Sequence, residues 1–355
     1  MTVEIRIARD NDAQEWDSII SRSPHKTPFH LWNWLKITEK HTRSTLYPVI
    51  GLKNNIPVGV FPLFFQKNGP FRMVFSPPPH AALFHLGPAF VEYDTLSQEK
   101  RENNYLEFQN AVENIIMNDL KADYVSISLS PGLQDPRPFT WSGYTAEIRY
   151  DYSIDLSRGY DYLVRTLDKK LRQNLNRARK RGITVETGGK KEYCAILDLM
   201  DIRYGQQGKN ITVSRDYLLE IYEAFNDALV IFVAKSDNEI VSGSIDIQYG
   251  NTHYSWIGSP KPKIPLSPSP NDLLMWESVR IAQEQGFRYY VTMGAAGNKR
   301  LHSYYASKFD PELKVYFSMK KNSFLSGIAE KGYTNVIKPF RGKVKSLMSG
   351  EREEG

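Results

Sequence analysis

The chain has 355 residues, long for one hydrophobic core and comfortable for two domains, because single cores stop growing at about 250–300 residues. Its 41% hydrophobic and 24% charged residues are those of a folded globular protein, which excludes wholesale disorder. The net charge of +6 is small for this length, and the single cysteine, Cys194, excludes an intramolecular disulfide and a multi-cysteine metal site.

In chain order, the opening MTVEIRIARDND lacks the apolar core of a signal peptide, and nowhere do about 18 apolar residues run together. With the lone cysteine, this gives the expectation of a cytoplasmic protein. FHLWNWLK (29–36) is the first aromatic cluster, and LKNNIPVGVFPLFF from Leu52 reads as a polar turn between two strands. The loop SPPPHAALFHLGP holds His80 and His85, each a candidate base near neutral pH, with a satisfied structural histidine as the plain alternative. Helical spacing follows over Tyr105 to Leu120, then an apolar strand, DYVSISLS. A domain boundary falls near residue 150, where PGLQDPRPFTWSGY gives way to the strand YDYSIDL.

The next stretch, LDKKLRQNLNRARKRG, carries seven positive charges and one acid. Leu163, Leu167, Leu171, Leu175 and Ala178 share one face of a predicted helix over 163–181, so its basic face needs no ligand to exist. Lys169, Lys170, Arg172, Arg177 and Arg179 nevertheless make it a candidate contact for a polyanion. In the extreme reading the protein is a non-enzymatic RNA-binding module, although the interleaved aromatics of such modules are missing. Cys194 in KEYCAIL is expected to be buried. AKSDNEIVSGSIDIQY from Ala234 repeats the earlier hairpin, with Ile240 matching Ile56 and Gly243 matching Gly59. In THYSWIGS, Tyr254 and Trp256 alternate and are expected on one face of a strand.

The proline-rich loop SPKPKIPLSPSPND leads to a helix over Leu273 to Gln285. Asn271 or Asp272 is a candidate N-cap, and Asn271 a candidate for holding an anion at the helix start. The strand RYYVTMG follows. Hairpin, helix and strand therefore occur twice, which argues for duplicated α/β domains, 1–150 and 151–320, with 321–355 free to pack back on the first. The tail VIKPFRGKVKSLMSG is basic and mildly amphipathic, which allows a peripheral membrane contact. No HExxH, GxSxG or Walker sequence occurs, so no metal site is expected, and RKRGIT is a poor echo of the pyrophosphate loop of acetyltransferases.

LDKKLRQNLNRARKRGITVE resembles the KKxRxNIRKAxKxG signature of the FemAB-like transferases. FHLWNWLK, SPNDLLMWESVRIAQEQGFRYYVTMG and YYASKFDPELKVYF resemble further blocks of that family, in the same order, from about residue 25 to 320. The resemblance implies two tandem GNAT-like (acyl-CoA N-acyltransferase-like) domains, each a mixed sheet flanked by helices. It implies transfer of an acyl or aminoacyl group to an amine of a cell-envelope peptide or sugar precursor, with no tightly bound cofactor. The donor it implies is aminoacyl-tRNA, or acyl-CoA in other members, and the acceptor is phosphorylated. Carried over by position, Arg203 and Lys36, with Trp34 beside it, would hold acceptor phosphates, because guanidinium and ammonium groups suit them. Tyr254 and Trp256 would line the acceptor cleft. Ala306 stands where the family has a lysine, so Lys308, two residues along, is the candidate catalytic lysine near the developing charge.

Overall fold

The computed structural model describes residues 2–206, 212–258, 267–294 and 308–323. These fall into two compact units, one of residues 2–147 with 317–323, the other of residues 148–205 with the described residues between 212 and 316.

The first unit runs β1 (Glu4–Ile7), α1 (Ala13–Ser21), α2 (Trp32–Thr42), β2 (Thr45–Lys53), β3 (Ile56–Asn68), β4 (Phe71–Ser76), β5 (Ala89–Phe90), α3 (Gln98–Asn114), β6 (Tyr124–Ser128) and α4 (Arg137–Trp141). β7 (Thr145–Asp155) carries the chain into the second unit. There follow α5 (Tyr160–Thr166), α6 (Lys169–Lys180), β8 (Thr184–Gly188), α7 (Lys190–Gln206), α8 (Arg215–Phe225), β9 (Leu229–Ser236), β10 (Glu239–Tyr249), β11 (Thr252–Gly258), α9 (Pro270–Glu284) and β12 (Tyr289–Thr292). β13 (Glu312–Asn322) returns the chain to the first unit, where its end pairs antiparallel with β6 (Ser318↔Ser128).

Both units repeat one plan. β2, β3 and β4 form an antiparallel meander, α3 crosses over it, and β6 pairs parallel with β4. β9, β10 and β11 form the same meander, α9 crosses it, and β12 pairs parallel with β11. The hairpin turns match as well. Asn54 and Asn55 in one, and Asp237 and Asn238 in the other, all have positive φ (54°, 61°, 51° and 65°), the tight two-residue turn that Asn and Asp tolerate. The repeated glycines are there for close approach: a Cβ on Gly59 would lie 2.8 Å from the Ala89 carbonyl oxygen, and one on Gly243 2.5 Å from the Ile196 side chain on α7.

Each crossover helix packs on one face of its own sheet. Tyr105, Phe108 and Val112 of α3 join Phe61, Leu63 and Ile127 in the first core, whereas Leu274, Trp276 and Val279 of α9 join Leu171, Leu175 and Phe232 in the second. Each fully buried Leu or Phe contributes about 1.5–3 kcal/mol, so these stripes hold the layers together.

The basic stretch is not one helix over 163–181. Leu167 (ψ 130°) leaves helical geometry, and the Asp168 carboxylate then caps a new helix, α6, by accepting from the backbone N–H groups of Lys170 and Leu171. The apolar spacing survives the break, since Leu163, Leu167, Leu171, Leu175 and Ala178 are all buried. The N-cap of α9 is Ser269, neither Asn271 nor Asp272, and Cys194 is half-buried.

The units differ where the parallel strands part. In the first, the β4–β6 ladder ends at Ser76↔Ile127, and the segment His85–Phe90 then enters, buried throughout. Leu86 takes over as the parallel partner of Leu129, β5 pairs with β3, and the Ser76 hydroxyl donates to the Pro62 carbonyl. In the second, the β11–β12 ladder ends at Ser255↔Thr292 while β11 runs on along β10 to Gly258. Among the described residues no third segment pairs there.

Candidate active site

The end of the β11–β12 ladder is lined by polar side chains. Ser255 on β11 is the register partner of both Thr292 on β12 and Asp246 on β10, so the three form a row across neighbouring strands with side chains on one face. Asp246 and Thr292 are buried and Ser255 is half-buried. Among the described residues, Asp246 Oδ1 and Thr292 Oγ1 have no hydrogen-bond partner. Such groups cost about 1–3 kcal/mol each when left unmade, so two in one row ask for a reason.

The other oxygen of Asp246 is crowded. Oδ2 accepts from Ser278 Oγ of α9 (2.5 Å), His253 Nε2 (3.0 Å) and Tyr290 OH (3.3 Å). Gln248 Nε2 faces His253 Nδ1 at 3.4 Å. With an amide donor on Nδ1, the proton of a neutral ring sits on Nε2 and points at Asp246. The Tyr290 ring stacks on His253 at 5.3 Å. Asp246, His253, Ser255, Ser278 and Thr292 are absent from the sequence-based set of site residues. The one legible signal is Asp246 between Ile245 and Ile247, the one charged residue among the buried positions of β10.

A second polar cluster lies at the start of α9. Lys308 Nζ donates to Asp272 Oδ1 at 2.6 Å, and Asn174 Nδ2 of α6 donates to Asp272 Oδ2 at 3.1 Å. Asp272 is only 3% exposed and lies in the first helical turn, where the dipole favours a carboxylate. Asn271 beside it accepts from Ser242 of β10 at 2.7 Å. The structure therefore brings Lys308, Asn271 and the basic helix together through Asp272. On α6, Arg177 bonds to Asn174 and Arg179 pairs with Glu277 at 2.8 Å. Lys169, Lys170 and Arg172 are exposed and make no ion pair among the described residues.

The remaining candidates are more dispersed. Arg203 is half-buried in the last turn of α7, on the sheet face opposite α9, since Gly243 faces α7 and its neighbour Ser242 faces α9. Asp198 and Asp201 pair with Arg215, at 2.8 and 3.4 Å. The β10–β11 register slips between Ile245 and Asp246, so Trp256 is an inserted bulge residue and simple alternation with Tyr254 is broken. Trp256 is buried; Tyr254 is half-buried, and its phenol is pushed up to about 12 by burial. In the first unit, Trp34 is fully buried against Phe29, and Lys36 is ion-paired with Glu39 (2.6 Å) and Asp10 (3.5 Å). His85 is buried in the inserted segment, whereas His80 is exposed. Ala306 and the basic tail lie outside the described residues.

These features define a class. Residues 165–312 match the family model described as an acetyltransferase (GNAT) domain, and the chain is an acyltransferase. No curated protein matches the sequence significantly. Among solved structures, FemX is similar over 88% of this chain and 96% of its own, at 16% identity and a TM-score of 0.65. L-PGS from Bacillus licheniformis is similar over 91% and 97%, at 14% identity and a TM-score of 0.55. A tandem GNAT protein from the clavulanic acid biosynthesis pathway is similar over 90% and 97%, at 14% identity and a TM-score of 0.54. The chain thus has the tandem-GNAT fold, which it shares with FemX, and carries an acetyltransferase (GNAT) domain at residues 165–312.

Proposed function

We propose that the protein transfers an aminoacyl group to an amine of a phosphate-bearing cell-envelope precursor. The observation that carries this reading is the polar row at the end of the β11–β12 ladder, in the unit that matches the acyltransferase family. Parallel strands that part at their C-terminal ends are the usual place for a ligand in such sheets. In this reading the donor's carbonyl lies there and Lys308 stands near the developing charge, while Arg203, on the other face of that sheet, and Lys36, in the first unit, are each candidates for an acceptor phosphate by the sequence resemblance alone. Lys36 would have to exchange Glu39 and Asp10 for the ligand.

The start of α9 favours charged tRNA over acyl-CoA as donor. A pyrophosphate at a helix N-terminus needs free N–H groups and an uncrowded positive dipole end. Here Pro270 brings no N–H, Ser269 caps Asn271, and Asp272 places a carboxylate in the first turn. The cations of α6 that make no ion pair among the described residues suit the phosphate backbone of tRNA, and the sequence resemblance to the FemAB-like transferases points the same way. The clavulanic acid pathway protein, described in a form without AcCoA, stands for the other donor. Mass spectrometry of reactions with aminoacyl-tRNAs and CoA thioesters, each with cell-envelope precursors, tests the reading. An aminoacylated precursor is expected; products from CoA thioesters alone would reverse the donor assignment. In a direct binding measurement, Arg203→Ala is expected to weaken the acceptor, and unchanged affinity would remove its phosphate role.

A further inference from the structure

Amide formation has a requirement that Lys308 does not meet. The attacking amine must lose a proton, and Lys308 is already ion-paired through its ammonium to Asp272. The row Asp246–Ser255–Thr292 supplies what is missing. Ser255 is its half-buried member and the one nearest solvent, and its hydroxyl makes no hydrogen bond among the described residues. Cross-strand partners on one face have Cβ atoms about 4.5–5.5 Å apart, so a rotation of the serine side chain brings its hydroxyl within reach of the aspartate beside it. Asp246 offers there the carboxylate oxygen that no donor occupies, while Ser278, His253 and Tyr290 fix the other. The remaining group on the α9 face, Gln248, reaches Asp246 only through His253.

We propose that Ser255 and Asp246 form a proton relay for the attacking amine, with Thr292 orienting the serine hydroxyl. This rests on the transferase reading above. As the amine nitrogen bonds to the donor's carbonyl carbon, its proton passes to Ser255 Oγ while the serine proton passes to Asp246 Oδ1. Collapse of the tetrahedral intermediate breaks the bond between carbonyl carbon and donor oxygen, and the proton held on Asp246 returns by the same path to the departing oxygen. No net proton is taken up and no electron changes hands. Asp246 acts through Ser255 and never touches the substrate, which explains how a group with no exposure can serve the reaction.

The corresponding row of the first unit makes the same point by contrast. There Ser76 pairs with Ile127, its hydroxyl is committed to the Pro62 carbonyl, and Leu63 stands one residue before Phe64, the partner of Phe75. Leucine and isoleucine replace the aspartate and threonine, and no relay is possible.

The test uses the full chain with whichever donor and acceptor the wild type turns over. Asp246→Asn is expected to lower kcat by about 10²–10³-fold with KM within a few-fold, since positioned acid–base groups contribute on that scale. Ser255→Ala is expected to lower kcat at least 10-fold, and Ser255→Thr, which keeps a hydroxyl, to restore most of it. Because the Ser255 hydroxyl makes no hydrogen bond among the described residues, its alanine variant should melt with the wild type, so the test survives if Asp246→Asn fails to fold. Full kcat in Ser255→Ala, or equal losses in the alanine and threonine variants, would overturn the relay and leave the transferase reading standing. A wild type that forms no product with any donor removes the transferase reading, and the relay with it.

Discussion

The two units answer one geometric problem in opposite ways. Each has parallel strands that separate at their C-terminal ends, leaving a crevice beside the crossover helix. The first unit fills it with its own backbone: Leu86 pairs with Leu129, Gly87 bonds to Ser76, and the row is Leu63, Ser76 and Ile127. In the second unit, among the described residues, it is lined by Asp246, Ser255 and Thr292, and two buried polar atoms there have no hydrogen-bond partner. A crevice filled by backbone gains apolar burial, whereas one lined by polar side chains forgoes it and keeps chemistry at hand. The duplicated plan thus carries an apolar row in one unit and a polar row in the other.

Substitutions can break that contrast from either side. The largest loss is expected in the second unit from Lys308→Met, which strands the Asp272 carboxylate at 3% exposure, at a cost of about 3–5 kcal/mol. Urea midpoints should show it, and adding Asp272→Asn should recover part. In the first unit, Leu86→Ala opens a cavity in the inserted segment and should cost about 2–4 kcal/mol in the same measurement.

Acid should weaken the first unit selectively. His30 donates from Nε2 to the Gly87 carbonyl and accepts the Thr27 N–H on Nδ1, so the buried ring is neutral. Burial lowers its pKa to about 4, and that of His25, against Phe90, to about 3. The unfolded chain, near 6.5, takes up these protons first, so this stability is complete above about pH 6.5 and is lost as pH falls toward 4 and 3. Between pH 7 and 5 the loss should be about 2 kcal/mol for each histidine, read from melts against pH, and His30→Gln should remove about half of it. The smallest effect belongs to Ser255→Ala, within about 0.5 kcal/mol of the wild type, because the side chain makes no hydrogen bond among the described residues. A larger loss would mean the second crevice is structural after all.

What the sequence revealed follows from how local each signal is. The hairpins were legible because Asn54–Asn55 and Asp237–Asn238 are strong turn formers between alternating strands, and the crossover helices because their apolar residues recur at helical spacing. The break at Asp168 was not, since the leucine spacing runs straight through it and hides an N-cap followed by two lysines. The row was hidden for a different reason. Asp246, Ser255 and Thr292 come from three strands, and only the register sets them side by side. Lys308 and Arg203 could be nominated from the family pattern, but their partners, Asp272 and the face of α7, depend on tertiary packing.

The return of β13 to the first unit also bears on how the protein is made. Lys321 grips Glu113, 208 residues earlier, and the strand around it closes the ladder on β6. At about 5–20 residues per second, that pairing waits roughly 10–40 seconds after Glu113 is synthesised. For that interval β6 presents an unpaired edge, and both units wait for the same last stretch of chain, since the second runs to Tyr316 and the first resumes at Phe317. Until then the open edge of β6 is the nascent chain's exposure to misassembly.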